Sequence, residues 1–337
     1  MFFNAHLKPI LPGLAVTLLV ALAAKLAEHA ERMLFGRGWV ESLVFAILIG
    51  VVVRSLFGLA PRYFAGVRFC AKTVLEIAIV LLGASISAQA IGSAGGGLVA
   101  AIIAVVCISL FVSYHIGRAL GLSNHLSMLV ACGNSICGNS AIAATAPVIE
   151  AQSDDVAASI SFTAVLGVLF VFVLPMLHAG LGLSATQYGI FSGLTVYAVP
   201  QVLAATAPAG TLAVQVGTLV KLIRVLMLGP VIFGLAVIGG RARETKLPIA
   251  QVVPWFIIGF IAMMAACSFD LIPDVARAPI KTTSSFLTIL AMAALGLSVD
   301  IRNVLHVGGR VVIAALLSLT FLCALSGVVL VVLAQGN

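Results

Sequence analysis

The chain is poor in charge. Only 9% of its 337 residues are Asp, Glu, Lys or Arg, while 62% are hydrophobic. Soluble domains carry about 25% charged residues, so a soluble globular fold is excluded. No long polar stretch is present, which argues against a separate aqueous domain. Cysteine is sparse: Cys70, Cys107, Cys132, Cys137, Cys267 and Cys323 lie in or near apolar segments and form no CxxC or zinc-type Cys/His set. No metal site is expected, and the cysteines read as small polarizable packing. No HExxH motif appears, and no Ser with His and Asp is found within the apolar segments. An enzyme is therefore not expected, and neither is a cofactor. The short alternating segments of a membrane barrel are missing as well. What remains is an all-α integral membrane protein, a single polytopic domain over residues 1–337.

A span needs about 20 apolar residues. Eleven segments qualify: 11–30, 42–58, 69–90, 97–117, 125–149, 156–177, 188–207, 212–238, 250–268, 282–299 and 309–333. The first, with Lys8 before it and an Ala-rich end at Ala30, resembles a signal peptide. It is read as a retained span because the charge arithmetic works with it. One side then collects Lys8, Arg54, Arg62, Arg68, Arg118, Arg241, Arg243, Lys246, Arg302 and Arg310. The other collects Arg32, Arg37 and Arg277 with the acidic loop Glu150, Asp154, Asp155. The positive-inside rule puts the N-terminus in the cytoplasm and the C-terminus in the periplasm. The net charge of +7 is explained by these loops and calls for no nucleic acid. The lipid bilayer is the expected surrounding, and a homodimer is compatible with the sequence.

One polar stretch interrupts the apolar pattern: Cys132-Gly133-Asn134-Ser135-Ile136-Cys137-Gly138-Asn139-Ser140. Each glycine in a helix interior costs about 1 kcal/mol relative to alanine. Irregular backbone at membrane depth is tolerated only where protein or a water-filled cavity satisfies it. The stretch therefore predicts a broken helix, one half running to about Gly133 and the other starting near Gly138, with a substrate in the gap. The alternative is a continuous helix whose small residues let a neighbour approach. Tyr197-Ala198-Val199-Pro200-Gln201 interrupts span 188–207 in a similar way, since Pro200 removes a backbone donor.

Two internal similarities stand out. Lys72-Thr73 with Leu82-Gly83-Ala84-Ser85-Ile86-Ser87 is matched by Lys281-Thr282 with Leu295-Gly296-Leu297-Ser298-Val299-Asp300. Those spans run in opposite directions in the eleven-span topology, as an inverted repeat predicts. Ala141-Ile142-Ala143-Ala144-Thr145-Ala146-Pro147 is matched by Val202-Leu203-Ala204-Ala205-Thr206-Ala207-Pro208. That second pair does not fit a simple inversion: either it is coincidence or one segment is re-entrant.

Lys221 and Arg224 lie well inside span 212–238, three apart and so on one helix face. Either charge costs about 2.5–3.5 kcal/mol at the bilayer centre on insertion scales. Two cations near a broken helix suggest a bound anion, with half-helix N–H groups adding to it. The alternative is structural pairing with an acid, Glu76 or Asp300, or snorkelling to an interface. Glu76 is four residues after Lys72, which allows a local pair; its other reading is a proton-carrying carboxylate. His115 and His178 sit near span ends and read as interfacial. Gln201 is a neutral candidate ligand for an oxyanion.

Ser135-Ile136-Cys137-Gly138, Ala146-Pro147-Val148-Ile149, Val220-Lys221-Leu222-Ile223-Arg224-Val225-Leu226 with Pro230, and Ala293-Ala294-Leu295-Gly296-Leu297-Ser298 resemble, in order, the YeiH-like family of bacterial inner-membrane proteins labelled sulfate exporters. The resemblance covers nearly the whole chain. It implies a secondary carrier related to bile-acid and sodium/proton transporters, with inverted repeats, crossed interrupted helices at the midplane, and a core that moves against a panel. The expected substrate-binding set is Gly133, Asn134, Ser135, Cys137, Gly138, Asn139, Ser140, Gln201, Lys221 and Arg224. The expected cargo is a small inorganic or organic anion: sulfate, sulfite or an organic sulfonate. The other reading is a sodium/proton antiporter on the same fold that uses Glu76, with H+ or Na+ as candidate coupling ion. A channel would need polar lining spread over many spans, and the polarity here is concentrated at one depth.

Overall fold

The computed structural model describes residues 9–35, 41–85, 95–238, 254–299 and 309–335. Lys8, Arg37, Ile86, Ser87, Arg241, Arg243, Lys246, Asp300 and Arg302 lie outside these residues, as do residues 250–253 of the ninth expected span. The described chain is all helical, with no strand. Among the described residues six helices are long and apolar enough to cross a membrane: Leu11–Leu34, Gly96–Ala119, Ser153–Leu181, Thr211–Ile238, Asp274–Ser298 and Gly309–Leu333. Ser42–Phe57 and Trp255–Ser268 are shorter apolar helices.

The chain separates into two compact units. The first, within Met1–Ala90 and Phe256–Arg302, contains α1 (Leu11–Phe35), α2 (Ser42–Phe57), α3 (Pro61–Phe69), α4 (Leu75–Gly83), α13 (Trp255–Ser268) from its second residue on, and α14 (Asp274–Ser298). A widened turn, Cys70–Val74, joins α3 to α4 without ending the helix. α14 packs on α1, α2 and α4. Small residues let it approach: a Cβ on Gly296 would stand 2.3 Å from the Ile47 carbonyl oxygen of α2. Ser284 Oγ of α14 donates to the Ala78 carbonyl of α4 at 2.8 Å, so the contact also satisfies a buried hydroxyl.

Near the start of α2 a polar cluster forms. Glu28 of α1 accepts from Arg32 and from Ser42 Oγ. Burial, then the negative charge of Glu28, hold the Glu41 carboxyl above the usual carboxylate range against the opposing pull of Arg32. An acid whose folded pKa is raised binds its proton more tightly folded than unfolded. Its ionisation therefore costs stability as pH rises through the unfolded carboxylate value. Glu41→Gln is expected to raise the melting temperature at neutral pH and to lose that advantage in acid, where both states are protonated. Thermal melts at the two pH values check this; an equal effect at both would sink it.

The second unit, within Ile91–Trp255 and Asn303–Asn337, contains α5 (Gly95–Ala119), α6 (Asn124–Cys132), α7 (Asn139–Thr145), α8 (Ser153–Leu181), α9 (Ala185–Thr195), α10 (Val199–Thr206), α11 (Thr211–Leu226), α12 (Leu228–Ile238) and α15 (Gly309–Gln335). Its core runs through Ile102, Val130, Phe162, Leu194, Val220 and Leu319. α11 packs along α9 through glycines: a Cβ on Gly193 would stand 2.6 Å from the Gly217 carbonyl oxygen. That close approach brings the middle of α11 against the end of α9.

Candidate functional site

Two helices of the second unit are interrupted. α6 is opened by Ser123, whose Oγ accepts from the Leu126 N–H at 3.1 Å and donates to Asp155 Oδ2 at 3.2 Å. After Cys132 it widens over Gly133–Cys137 into a π-type turn closed by the Gly138 N–H on the Gly133 carbonyl at 2.9 Å. Gly138 follows with φ 65° and ψ −126°, backbone that residues with side chains avoid. The chain turns there and α7 begins. The second break follows α9. Val196 (φ −70°, ψ 146°) and Ala198 (φ −119°, ψ 150°) are extended. α10 then starts with Pro200 in its first turn, where the missing N–H is not needed. Gln201 Oε1 accepts from the Ala198 N–H at 3.1 Å and caps that turn.

A helix end leaves up to four carbonyls without an intrahelical partner. At these breaks bulk water does not reach the chain, because residues 131–138 and 191–197 are all buried. Two cations of α11 take that place. Lys221 Nζ donates to the Ile136 carbonyl at 2.6 Å and to Val196 at 2.8 Å. Arg224 Nε donates to Ser135 at 3.2 Å and Nη2 to Asn134 at 3.0 Å. Its Nη1 serves Gly193 at 3.1 Å, Val196 at 3.4 Å, and Leu194. Both side chains are 0% exposed. The carboxyl ends of two interrupted helices thus meet at one pair of cations, and the guanidinium fork ties one to the other.

Asp300, one of the two acids considered as a structural partner, lies outside the described residues. Among the described residues no carboxylate pairs with Lys221 or Arg224. Glu76 lies on α4 of the first unit, half-buried. The partners are main-chain oxygens instead. Each helix C-terminus carries about half a negative charge, so it is two helix ends, and not a carboxylate, that face the two basic side chains. Both side chains are buried, where electrostatic interactions are felt far more strongly than in water.

The expected site residues divide. Gly133, Asn134, Ser135, Cys137 and Gly138 are buried at the first break, whereas Asn139 and Ser140 are exposed at the start of α7. Asn139 Oδ1 accepts from Thr163 Oγ1 of α8. Gln201 is buried against α8, where a Cβ on Gly167 would stand 2.2 Å from Gln201 Nε2. Cys132 and Cys137 are buried free thiols. Gly193, Leu194, Val196, Tyr197 and Thr163 take part in the site without having been singled out for it. Pro200 marks the second break in the sequence, but it lies past the carbonyls that matter. Several side chains at the breaks are inaccessible and have no protein partner: both ends of the Asn134 amide, Ser135 Oγ and Tyr197 OH.

A family model described as conserved hypothetical protein 698 matches residues 12–315. The chain is 58% identical to a UPF0324 membrane protein of Agrobacterium fabrum, over 95% of this chain and 92% of that one. It is 58% identical to one of Brucella suis, over 96% of each. It is 37% identical to one of Bacillus anthracis, over 95% of this chain and 93% of that one. No solved structure matches it.

Proposed function

The chain belongs to the UPF0324 membrane protein family, and from that premise we propose that it is a secondary carrier of a small anion. The observation that carries the reading is the pair of buried basic side chains, Lys221 and Arg224, bonded to main-chain carbonyls where two interrupted helices meet. Interrupted helices with ends at one place are how carriers build sites inside the bilayer. A cation carrier wants a buried carboxylate instead, and no Asp or Glu is buried among the described residues. The names of the relatives give no substrate; the two buried basic side chains support an anion, and sulfate, sulfite and small organic sulfonates are taken from the resemblance to the sulfate-exporter family. Eleven crossings suit the six long apolar helices, the two shorter ones, α3 with α4, and the two interrupted helices. The bacterial inner membrane is the proposed location.

The cations are part of the scaffold, so the test uses the parent protein. Purified protein is melted with sulfate, sulfite, an organic sulfonate, and sodium at matched ionic strength. A ligand held by the folded state at about 100 times its dissociation constant adds about 2.7 kcal/mol. Stabilisation by an anion and its uptake into proteoliposomes are the expected results. Stabilisation by sodium or by a pH step alone would overturn the reading and turn attention to Glu76.

A further inference from the structure

The polar cluster of the first unit lines a cavity of about 190 Å³, formed by Lys25, Glu28, His29 and Arg32 of α1 with Ser42 of α2. Drug-sized ligands occupy about 300–1,000 Å³, so this cavity has room for a small polar group only. Glu28 Oε1 accepts from Arg32 Nη2 and Oε2 accepts from Ser42 Oγ. That carboxylate is filled, and one cation answers its charge. Lys25 is exposed, and among the described residues its Nζ has no hydrogen-bond partner; it stands 5.2 Å from the centre of the Phe286 ring of α14. Among the lining side chains Lys25 is thus left without a counter-charge. Glu41 adjoins the cluster but does not line the cavity. Donors are in excess as well. An ammonium has three N–H groups, a guanidinium five, and an imidazole at least one whatever its tautomer. The group that fits carries negative charge and accepts hydrogen bonds.

The same face of α1 continues as an apolar one. Leu18, Leu22, Lys25, His29 and Arg32 recur every three or four residues and so lie along one stripe of the helix. Leu18 is 37% exposed and Leu22 44%, and the three basic residues are exposed too. The stripe is apolar toward the middle of a helix long enough to cross a membrane, and basic toward its end. A small anion from water would use the cavity and leave the leucines bare. A phospholipid uses both, because its phosphodiester carries one negative charge and only accepts, while its acyl chain covers the leucines. Basic clusters beside spanning helices attract anionic lipid in this way. A choline or ethanolamine headgroup would bring a further cation among three basic side chains, and Glu28, the one acid lining the cavity, is already taken. The chemistry selects a headgroup that carries no cation.

We propose that this stripe of α1 is a binding site for an anionic phospholipid of the phosphatidylglycerol type. Its phosphodiester sits in the cavity against Lys25, His29 and Arg32, and an acyl chain lies over Leu22 and Leu18. The site belongs to the first unit and does not rest on the carrier reading.

The test melts the delipidated full chain in a neutral detergent. It is titrated with phosphatidylglycerol, with phosphatidylcholine of the same acyl chains, with glycerol phosphate and with inorganic phosphate. Phosphatidylglycerol is expected to raise the melting temperature at the lowest concentration. Lys25→Gln is expected to raise the concentration needed about fivefold, the worth of one basic side chain near an anionic lipid surface. Lys25→Arg is expected to keep the response. So is Arg68→Gln, which removes the same charge from another exposed position of the first unit. A second readout needs no variant: phosphatidylglycerol, and not phosphatidylcholine, is expected to protect Lys25 of the parent from an amine-acetylating reagent, as read by mass spectrometry. Equal stabilisation by the two lipids overturns the inference, as does Lys25 acetylated alike in both. A preference that survives Lys25→Gln, or is lost equally in Arg68→Gln, overturns it too. Inorganic or glycerol phosphate acting as well as phosphatidylglycerol would mean a pocket for free phosphate and overturn the lipid.

Discussion

Arg224→Met is expected to leave little folded protein. The substitution keeps much of the volume and removes every donor. The carbonyls of Asn134, Ser135, Gly193 and Leu194 then lose the guanidinium in a place that bulk water does not reach. At about 1–3 kcal/mol for each buried unsatisfied group, the loss rivals the 5–15 kcal/mol that holds a whole domain together. Arg224→Lys is expected to rescue only part of it. An ammonium is a compact point charge, whereas the guanidinium presents donors in a fixed fork, and here the fork reaches α9 on one side and the π-type turn after α6 on the other. Lys221→Met removes donors from Ile136 and Val196, and Val196 still has a long bond from Arg224. The expected order of damage is therefore Arg224→Met, then Arg224→Lys, then Lys221→Met. Monodisperse yield on size exclusion and the melting temperature of what elutes measure it. An Arg224→Met protein that elutes and melts like the parent would mean that the two breaks do not depend on this side chain.

The same reasoning explains what was readable in the sequence. The first break was legible because its residues contradict their surroundings: two glycines and two asparagines stand where a span wants apolar helix formers. The depth of Lys221 and Arg224 was legible from the apolar residues around them. Their partners were not. A search for partners looks for acids, and these cations bond to carbonyls, which every residue carries and no letter of the sequence marks. Asn139 and Ser140 shared the composition of the stretch, yet they fall beyond the turn at Gly138 and are exposed. Composition shows where a helix breaks; the phase after the break depends on backbone angles such as the positive φ of Gly138. Tyr197 was visible only as part of an interruption, because its burial is set by packing against α8, where Phe162 meets it edge to face at 6.5 Å.

Glycine shows the same limit, and a reversal of sign follows from it. In the first unit Gly13 of α1 meets Gly66 of α3. A Cβ on Gly66 would stand 2.1 Å from the Ile10 carbonyl oxygen, 2.5 Å from the Leu14 nitrogen and 2.6 Å from the Gly13 Cα. A Cβ on Gly13 would stand 2.1 Å from the Tyr63 carbonyl oxygen. All of these are backbone atoms, so no side chain can rotate aside and the two helices must separate. Overpacking a core costs about 1–3 kcal/mol; with backbone on both sides Gly66→Ala is expected at the upper end. The double variant Gly13→Ala with Gly66→Ala is expected to cost less than the sum of the singles, because one separation relieves both clashes. Gly327 lies within α15 with nothing within 4 Å of where its Cβ would be. There alanine only improves helix propensity, by up to about 1 kcal/mol, so Gly327→Ala is expected to raise the melting temperature. Melting the four variants beside the parent gives the answer. Gly66→Ala and Gly327→Ala shifting in the same direction would mean that helix propensity, and not the approach of α1 to α3, sets the worth of these glycines.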